Sequence, residues 1–323
     1  MERPIEIEAV RARGGAMMTE LLRAMRPKEW LKNVFVFGAI AFARDGAGQR
    51  PLWTYPDRLL VVVLAFALFC MAASAIYLIN DLVDIEKDRA HPRKRTRPLA
   101  SGRLSPAVAF GAAVLLLGVS LPAAFALDLL PTGTQADVDF GLALLSYVLI
   151  QGVAYSYVLK HLVILDVFTI AAGFVLRPVA GGMVLDINIT EWLLICMGLL
   201  ALFLGFSKRR AELVLLQGGA AEHRRILDEY SLPLIDQMTT IITAATIIAY
   251  TLFTSTAPTL PHEPFSVMMV TVPFVVYTIF RYLYLIHRHG GGGSPADLVF
   301  RDVPLAVGIA LWGVTALAIL AMY

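Results

Sequence analysis

Charge is scarce in this chain. Of its 323 residues, 16% are Asp, Glu, Lys or Arg and 58% are hydrophobic. A soluble domain of this length would carry about a quarter charged residues, so the composition excludes one and points to a polytopic membrane protein. Cysteine is nearly absent. Cys70 and Cys196 both lie inside apolar runs, with no CxxC and no Cys/His cluster, which excludes a disulfide framework and a zinc site. Residues 1–29 lack the apolar stretch of a signal peptide. The net charge of +2 is too small to suggest a nucleic-acid partner, but its distribution is far from even.

What the chain has in abundance is long apolar runs. About 20 such residues cross the hydrocarbon core as a helix, and nine candidate spans can be drawn at 30–43, 59–80, 105–127, 140–158, 161–183, 191–206, 233–255, 267–287 and 303–322. The first is the shortest and its limits are the least defined. The expected fold is all-α, one transmembrane domain over 26–323 preceded by an N-terminal segment, 1–25. Residues 1–19 read as disordered or as an interfacial helix, and Gly290–Ser294 as a flexible surface loop.

Lys and Arg set the orientation. The N-terminal segment through Lys32 holds seven, the connection 81–104 holds seven, and the joints near Lys160, Lys208 and Arg288 hold the rest of a set of 23 among the 27. The alternate connections carry only Arg44, Arg50 and Arg58, and Arg177 lies within a span. The count places the N-terminus in the cytoplasm and the C-terminus outside. It also puts the polar motifs at 26–33, 80–103, 155–166 and 207–212 on the cytoplasmic side, so the bundle is expected to hold an active-site cavity there.

The most informative of these motifs begins at Asn80. Asn80, Asp84 and Asp88 are four residues apart, which puts them on one helix face, and Asp81 is beside them. Carboxylate and amide oxygens in this spacing suit Mg²⁺, which prefers oxygen ligands and bridges one or two carboxylates to substrate phosphates. Arg89, Arg93, Lys94, Arg95, Arg97 and Arg103 follow directly. Topology alone would place cations here, but His91-Pro92 and Arg97-Pro98 also stiffen the stretch and fix where its cations point. Together these residues predict a site for a metal-bound diphosphate.

Three smaller motifs share that side. In Arg26-Pro27-Lys28-Glu29-Trp30-Leu31-Lys32-Asn33, Trp30 suits a membrane interface, while Arg26, Lys28, Lys32 and Asn33 can reach the site mouth. In Tyr155-Ser156-Tyr157-Val158-Leu159-Lys160-His161, Lys160 ends one span while Asp166 begins the next, so both can face one cavity. In Ser207-Lys208-Arg209-Arg210-Ala211-Glu212, Lys208 and Arg209 are candidate phosphate contacts. Arg177, beside Pro178, is expected to satisfy carbonyls that the proline frees.

On these residues the chain resembles the UbiA superfamily of intramembrane prenyltransferases. Asn80, Asp81, Asp84 and Asp88 match its NDxxDxxxD motif position by position, and Arg97-Pro98-Leu99 with Gly102 match the usual sequel. The resemblance runs from Arg26 to the last span and implies a nine-helix bundle with a Mg²⁺-diphosphate site. Aromatic prenyltransferases of the superfamily carry a second Asp-rich motif between spans 6 and 7. Here Lys208-Arg209-Arg210-Ala211-Glu212-Leu213 stands in its place, as if to meet an extra phosphate.

The decaprenyl-phosphate phosphoribosyltransferase branch is similar throughout. The likeness is carried by Arg26-Pro27 with Trp30, Lys32 and Asn33, Asp88-Arg89, His91-Pro92, Lys94-Arg95, Lys160-His161, Lys208-Arg209, and Arg301-Asp302. It implies transfer of 5-phosphoribose from phosphoribosyl diphosphate (PRPP) to decaprenyl phosphate for cell-wall arabinan synthesis, in a bacterial inner membrane. Asn80, Asp81, Asp84 and Asp88 would be metal ligands, and Asp84, Asp88 and Lys160 the catalytic groups. Arg26, Lys28, Lys32, Asn33, Arg89, Lys94, Arg97, Tyr157, Lys160, Lys208 and Arg209 would bind substrate. The strand-loop PRPP motif of soluble phosphoribosyltransferases is not found in the sequence. Two other readings use the same residues: a Mg²⁺-dependent prenyltransferase acting on an aromatic acceptor, and a transporter of a phosphorylated solute. Lipid chain length and homo-oligomerisation stay open.

Overall fold

The computed structural model describes residues 15–322 except 16, 46–49, 91–93, 130–138, 188, 218–228, 259, 263–264 and 289–294. The expectations for residues 1–14, for His91-Pro92 with Arg93, and for the glycine run before Ser294 therefore lie outside the described residues. Among the described residues there is no strand, only an isolated bridge between Arg44 and Pro51.

Among the described residues, eight helices are long and apolar enough to cross a membrane: α1 Pro56–Val83, α2 Pro106–Asp128, α3 Asp139–Tyr157, α4 Leu165–Met183, α5 Glu191–Val214, α6 Leu232–Thr256, α7 Val267–Arg288 and α8 Val303–Met322. This is a multi-pass membrane protein. The helix starts are written locally. Pro56 and Pro106 occupy first-turn positions where a missing N–H costs nothing. Ser105 and Ser231 accept from the amides of Val108 and Leu234 to cap α2 and α6.

The first expected span, 30–43, is not such a helix. Pro27–Phe37 forms a 3₁₀-helix, followed by a short α-helix at Gly38–Phe42. A 3₁₀ run rises about 2.0 Å per residue, so these 16 residues extend about 30 Å, close to the hydrocarbon thickness. Among the described residues the nine expected spans thus become eight apolar α-helices plus this extended segment. It packs between α1 and α4, and Gly181 is what admits it: a Cβ there would lie 1.8 Å from the Val36 carbonyl oxygen.

The main core joins α1, α2, α3 and α4 around Phe69, Phe140, Tyr147 and Val36, with Ala65, Ala72 and Ala73 letting α1 come close to its neighbours. α3 is not a uniform helix. It runs as α to Tyr147, widens to a π-helix over Val148–Ala154, and returns to α for Tyr155–Tyr157. Such widenings recur beside functional sites. Here it precedes the turn that carries Lys160.

Candidate active site

The polar motifs converge at one end of the bundle, formed by the C-terminal ends of α1, α3 and α5 and the starts of α4 and α6. α1 stops at Val83, and a second short helix runs from Ile85 to Ala90. Asp84 lies at the break, yet its amide still bonds the Asn80 carbonyl (3.0 Å) and the Asp88 amide bonds the Asp84 carbonyl (2.8 Å). The expected single face of Asn80, Asp84 and Asp88 therefore survives the interruption.

Each carboxylate meets a cation. Arg26 donates to Asp81 at 2.5 Å, and Arg97 bridges Asp81 (3.1 Å) and Asp88 (2.6 Å). Lys94 stands 3.9 Å from Asp88. Lys160 approaches Asp84 at 3.5 Å from the far side of the site, and Lys87 approaches it at 3.8 Å. Asp81 and Asp88 are buried, whereas the Asp84 side chain is 27% exposed. Asn80 accepts from the Ser156 hydroxyl, which ties α1 to the end of α3.

Arg26 has a left-handed backbone, φ 55°, and its guanidinium lies 4.7 Å from the centre of the Tyr77 ring. The chain after Arg97 folds back through Gly102, at φ 77°, and buries Leu99 and Leu104 against α1 and α2. This anchors Arg97. Arg89 points the other way, to Glu86 (2.7 Å) and the Ala100 carbonyl (3.2 Å), where it braces this fold rather than facing the carboxylates.

A second ionic group sits beside the first. α5 continues past the expected limit at 206, so Lys208 to Glu212 are helical. Lys208 is exposed, but Arg209 is only 1% exposed. Its guanidinium donates to Asp166 at 2.7 Å and also to Glu212. Asp166 is fully buried and accepts from the Tyr230 hydroxyl at 2.9 Å. The expectation that Asp166 shares a cavity with Lys160 is not met, because Asp166 is enclosed by Arg209 and Tyr230. Burial, together with the bond to Asp166, pushes the Tyr230 hydroxyl up to about 12, against the lowering effect of the Ile164 amide, so it stays a donor at neutral pH.

The N-terminal motif divides. Lys28 and Lys32 are exposed, and Lys32 pairs with Glu29. Trp30 donates to the Ser74 hydroxyl at 2.9 Å. Asn33 does not reach the mouth of the site. It is fully buried, donating to the Cys70 sulfur (3.3 Å) and accepting from Arg177 (2.8 Å). Arg177 also donates to the Tyr147 hydroxyl and to the Gly173 carbonyl, one residue before the carbonyl that Pro178 leaves free. Tyr157 is 58% exposed at the end of α3.

Sequence reasoning passed over Tyr77, Ser156 and Tyr230. Tyr77 is four residues before Asp81, a spacing that puts it on the same face. Tyr230 has no such signal, because its partners lie 64 and 66 residues away.

The oxygen-only donor set of Asn80, Asp81, Asp84 and Asp88 fits a hard divalent cation. Among the described residues no group of three acidic, His or Cys side chains closes on one point. Mg²⁺ needs only one or two of these carboxylates and completes its shell with water and phosphate.

The chain is 33% identical over 303 residues to the decaprenyl-phosphate phosphoribosyltransferase of Mycolicibacterium smegmatis, covering 92% of this chain and 91% of that one. It is 33% identical over 297 residues to the enzyme of the same name from Corynebacterium glutamicum, covering 90% and 84%. Its fold is shared with a UbiA homologue from Archaeoglobus fulgidus bound to GPP and Mg²⁺, with TM-score 0.64, 20% identity, and 93% and 99% of the two chains covered. Residues 34–301 match the UbiA prenyltransferase family, and with over four-fifths of its length inside that match, the chain belongs to the UbiA prenyltransferase family.

Proposed function

We propose that the protein is a Mg²⁺-dependent transferase that moves 5-phosphoribose from PRPP to a polyprenyl phosphate, decaprenyl phosphate by analogy with its named relatives, and releases diphosphate. The observation that carries this reading is the array in which Arg26, Lys94, Arg97 and Lys160 each lie within 4 Å of Asp81, Asp84 or Asp88. Three carboxylates interleaved with four cations suit a polyanion that brings its own metal. Full-length similarity to two phosphoribosyltransferases supports this donor over a prenyl diphosphate.

Asn80, Asp81, Asp84 and Asp88 would hold the Mg²⁺, with Asp84 the most accessible. When bound, the ion would offset charge on the departing diphosphate. Arg97 and Lys94, now turned to Asp81 and Asp88, would exchange those partners for diphosphate oxygens. Lys160, across from Asp84, would hold the 5-phosphate or the acceptor phosphate, as would the exposed Lys208. Arg209 has a different role in this account, since its guanidinium is enclosed by Asp166 and Glu212: it supports the site without touching substrate.

The acceptor phosphate is ionised at neutral pH, so no general base is required. Its oxygen attacks the anomeric carbon as the bond to diphosphate breaks, and direct displacement inverts that centre. The Lys and Arg count supports a cytoplasmic N-terminus and site, and the bacterial relatives support an inner membrane as the setting. PRPP would then arrive from the cytoplasm and the acceptor from the inner leaflet. The test is to incubate purified protein with ribose-labelled PRPP, decaprenyl phosphate and Mg²⁺, with and without EDTA. The expected result is an organic-soluble labelled lipid that EDTA abolishes. No labelled lipid from folded protein would overturn the proposal.

A further inference from the structure

The turn that carries Lys160 is held in a conformation it would not adopt alone. Between α3 and α4 the chain forms a 3₁₀ turn at Leu159–His161, then a tight reversal in which the Leu165 amide bonds the Val163 carbonyl at 2.8 Å. Ile164 is the central residue of that reversal, at φ 70° and ψ −48°. This is the rarer, strained hand of γ-turn, and for a β-branched residue a positive φ is a steric outlier. Strain of this kind persists only where neighbouring structure over-determines it.

The neighbouring structure here is Tyr230. Its hydroxyl oxygen accepts from the Ile164 amide at 2.6 Å and its proton goes to Asp166 at 2.9 Å, while Asp166 is fixed by Arg209 at 2.7 Å. The Tyr230 ring is buried with Val167, Phe206 and Ile235. One hydroxyl thus fastens the residue before α4 to a buried ion pair between α4 and α5. Four residues upstream, the Lys160 ammonium faces Asp84 across the site.

We propose that Tyr230 is a positioning residue, whose hydroxyl latches the strained turn at Ile164 and thereby holds Lys160 opposite the Asp84 carboxylate. The inference rests on the reading of Lys160 as a phosphate contact. It also has a structural half that stands without that reading.

Tyr230→Phe removes one oxygen and leaves the ring in its apolar bed, so the variant should fold. Backbone amide exchange over residues 159–165 should then quicken by about tenfold, the scale of one lost hydrogen bond to a buried amide, with the peptides of α1 and α2 unchanged. Unchanged exchange in that turn would overturn the latch whatever the reaction proves to be. In the transfer assay kcat/KM should fall by roughly tenfold. In a Lys160→Met background the same Tyr230→Phe change should have almost no further effect, because its target is gone. If the two losses simply multiply, Tyr230 does not act through Lys160 and the positioning role is refuted. If the wild-type protein transfers no phosphoribose, the proposed reaction fails while amide exchange still decides the latch.

Discussion

Arg209 separates the account given by the structure from the one suggested by its place in a run of cations. Replacing it with Met keeps the volume of the side chain and removes the guanidinium that bonds Asp166 and Glu212. Asp166, fully buried, would be left with Tyr230 as its hydrogen-bond donor. Removing one partner of a buried ion pair costs about 3–5 kcal/mol, because the remaining charge is stranded in a medium that solvates it poorly. Glu212 can turn toward water, its side chain being 28% exposed, so the loss should come mainly from Asp166.

Reversible unfolding in mixed micelles would measure this. Arg209→Met should be about 3–5 kcal/mol less stable than wild type, and Asp166→Asn combined with Arg209→Met should recover most of that loss. Arg209→Lys should recover little, since an ammonium cannot reproduce the forked contacts to two carboxylates. If Arg209→Met unfolds within about 1 kcal/mol of wild type and its defect appears only as weaker PRPP binding, Arg209 is a substrate contact and the structural reading is wrong.

Three further outcomes follow from the site and the packing. Asp84→Asn should cut turnover by two or more orders of magnitude while leaving the unfolding midpoint unchanged, because among the described residues this partly exposed carboxylate makes long contacts to Lys160 and Lys87; steady-state rates near wild type would remove Asp84 from the metal site. Arg97→Gln should raise the KM for PRPP by roughly 10- to 100-fold, the range for one or two charge-assisted hydrogen bonds, and an unchanged KM would show that Arg97 serves only to neutralise Asp81 and Asp88. Gly181→Ala should destabilise the bundle by at least about 1–3 kcal/mol, since its methyl group would meet the Val36 carbonyl oxygen at 1.8 Å; a stability equal to wild type would mean that the 27–42 segment is not seated as described.

The spans were legible because bilayer thickness and apolar run length are directly linked. The exception, 30–43, shows the limit of that link. Hydropathy reports that a stretch is apolar but not its rise per residue, and a 3₁₀ run gains length that an α-helix of the same residues lacks. What admits it is Gly181, some 140 residues away in the chain. The carboxylate face was legible for a local reason: Asn80, Asp84 and Asp88 are one turn apart, and the backbone bonds that set that spacing persist through the break at Asp84.

The pairing of charges was not legible. Lys208 and Arg209 are adjacent cations, but neighbouring residues on a helix point about 100° apart, so one is exposed and the other is enclosed in the bundle. Arg209 falls three residues after Phe206 and six after Phe203, on the face that those rings bury in the bundle. Asn33 failed similarly. Its polarity suggested the site mouth, whereas the structure uses it to satisfy Arg177 inside the bundle. Tyr230 is a third case, since nothing near it in sequence announces a hydrogen-bonded turn on the other side of the site.

The choice of donor is decided by a side-by-side assay. The purified protein in detergent would receive Mg²⁺ and either PRPP with decaprenyl phosphate or a prenyl diphosphate with an aromatic acceptor, and released diphosphate would be measured. Diphosphate release from PRPP should depend on decaprenyl phosphate and be lost in Asp84→Asn, with none from the prenyl pair. Release from the prenyl pair alone would contradict PRPP as the donor.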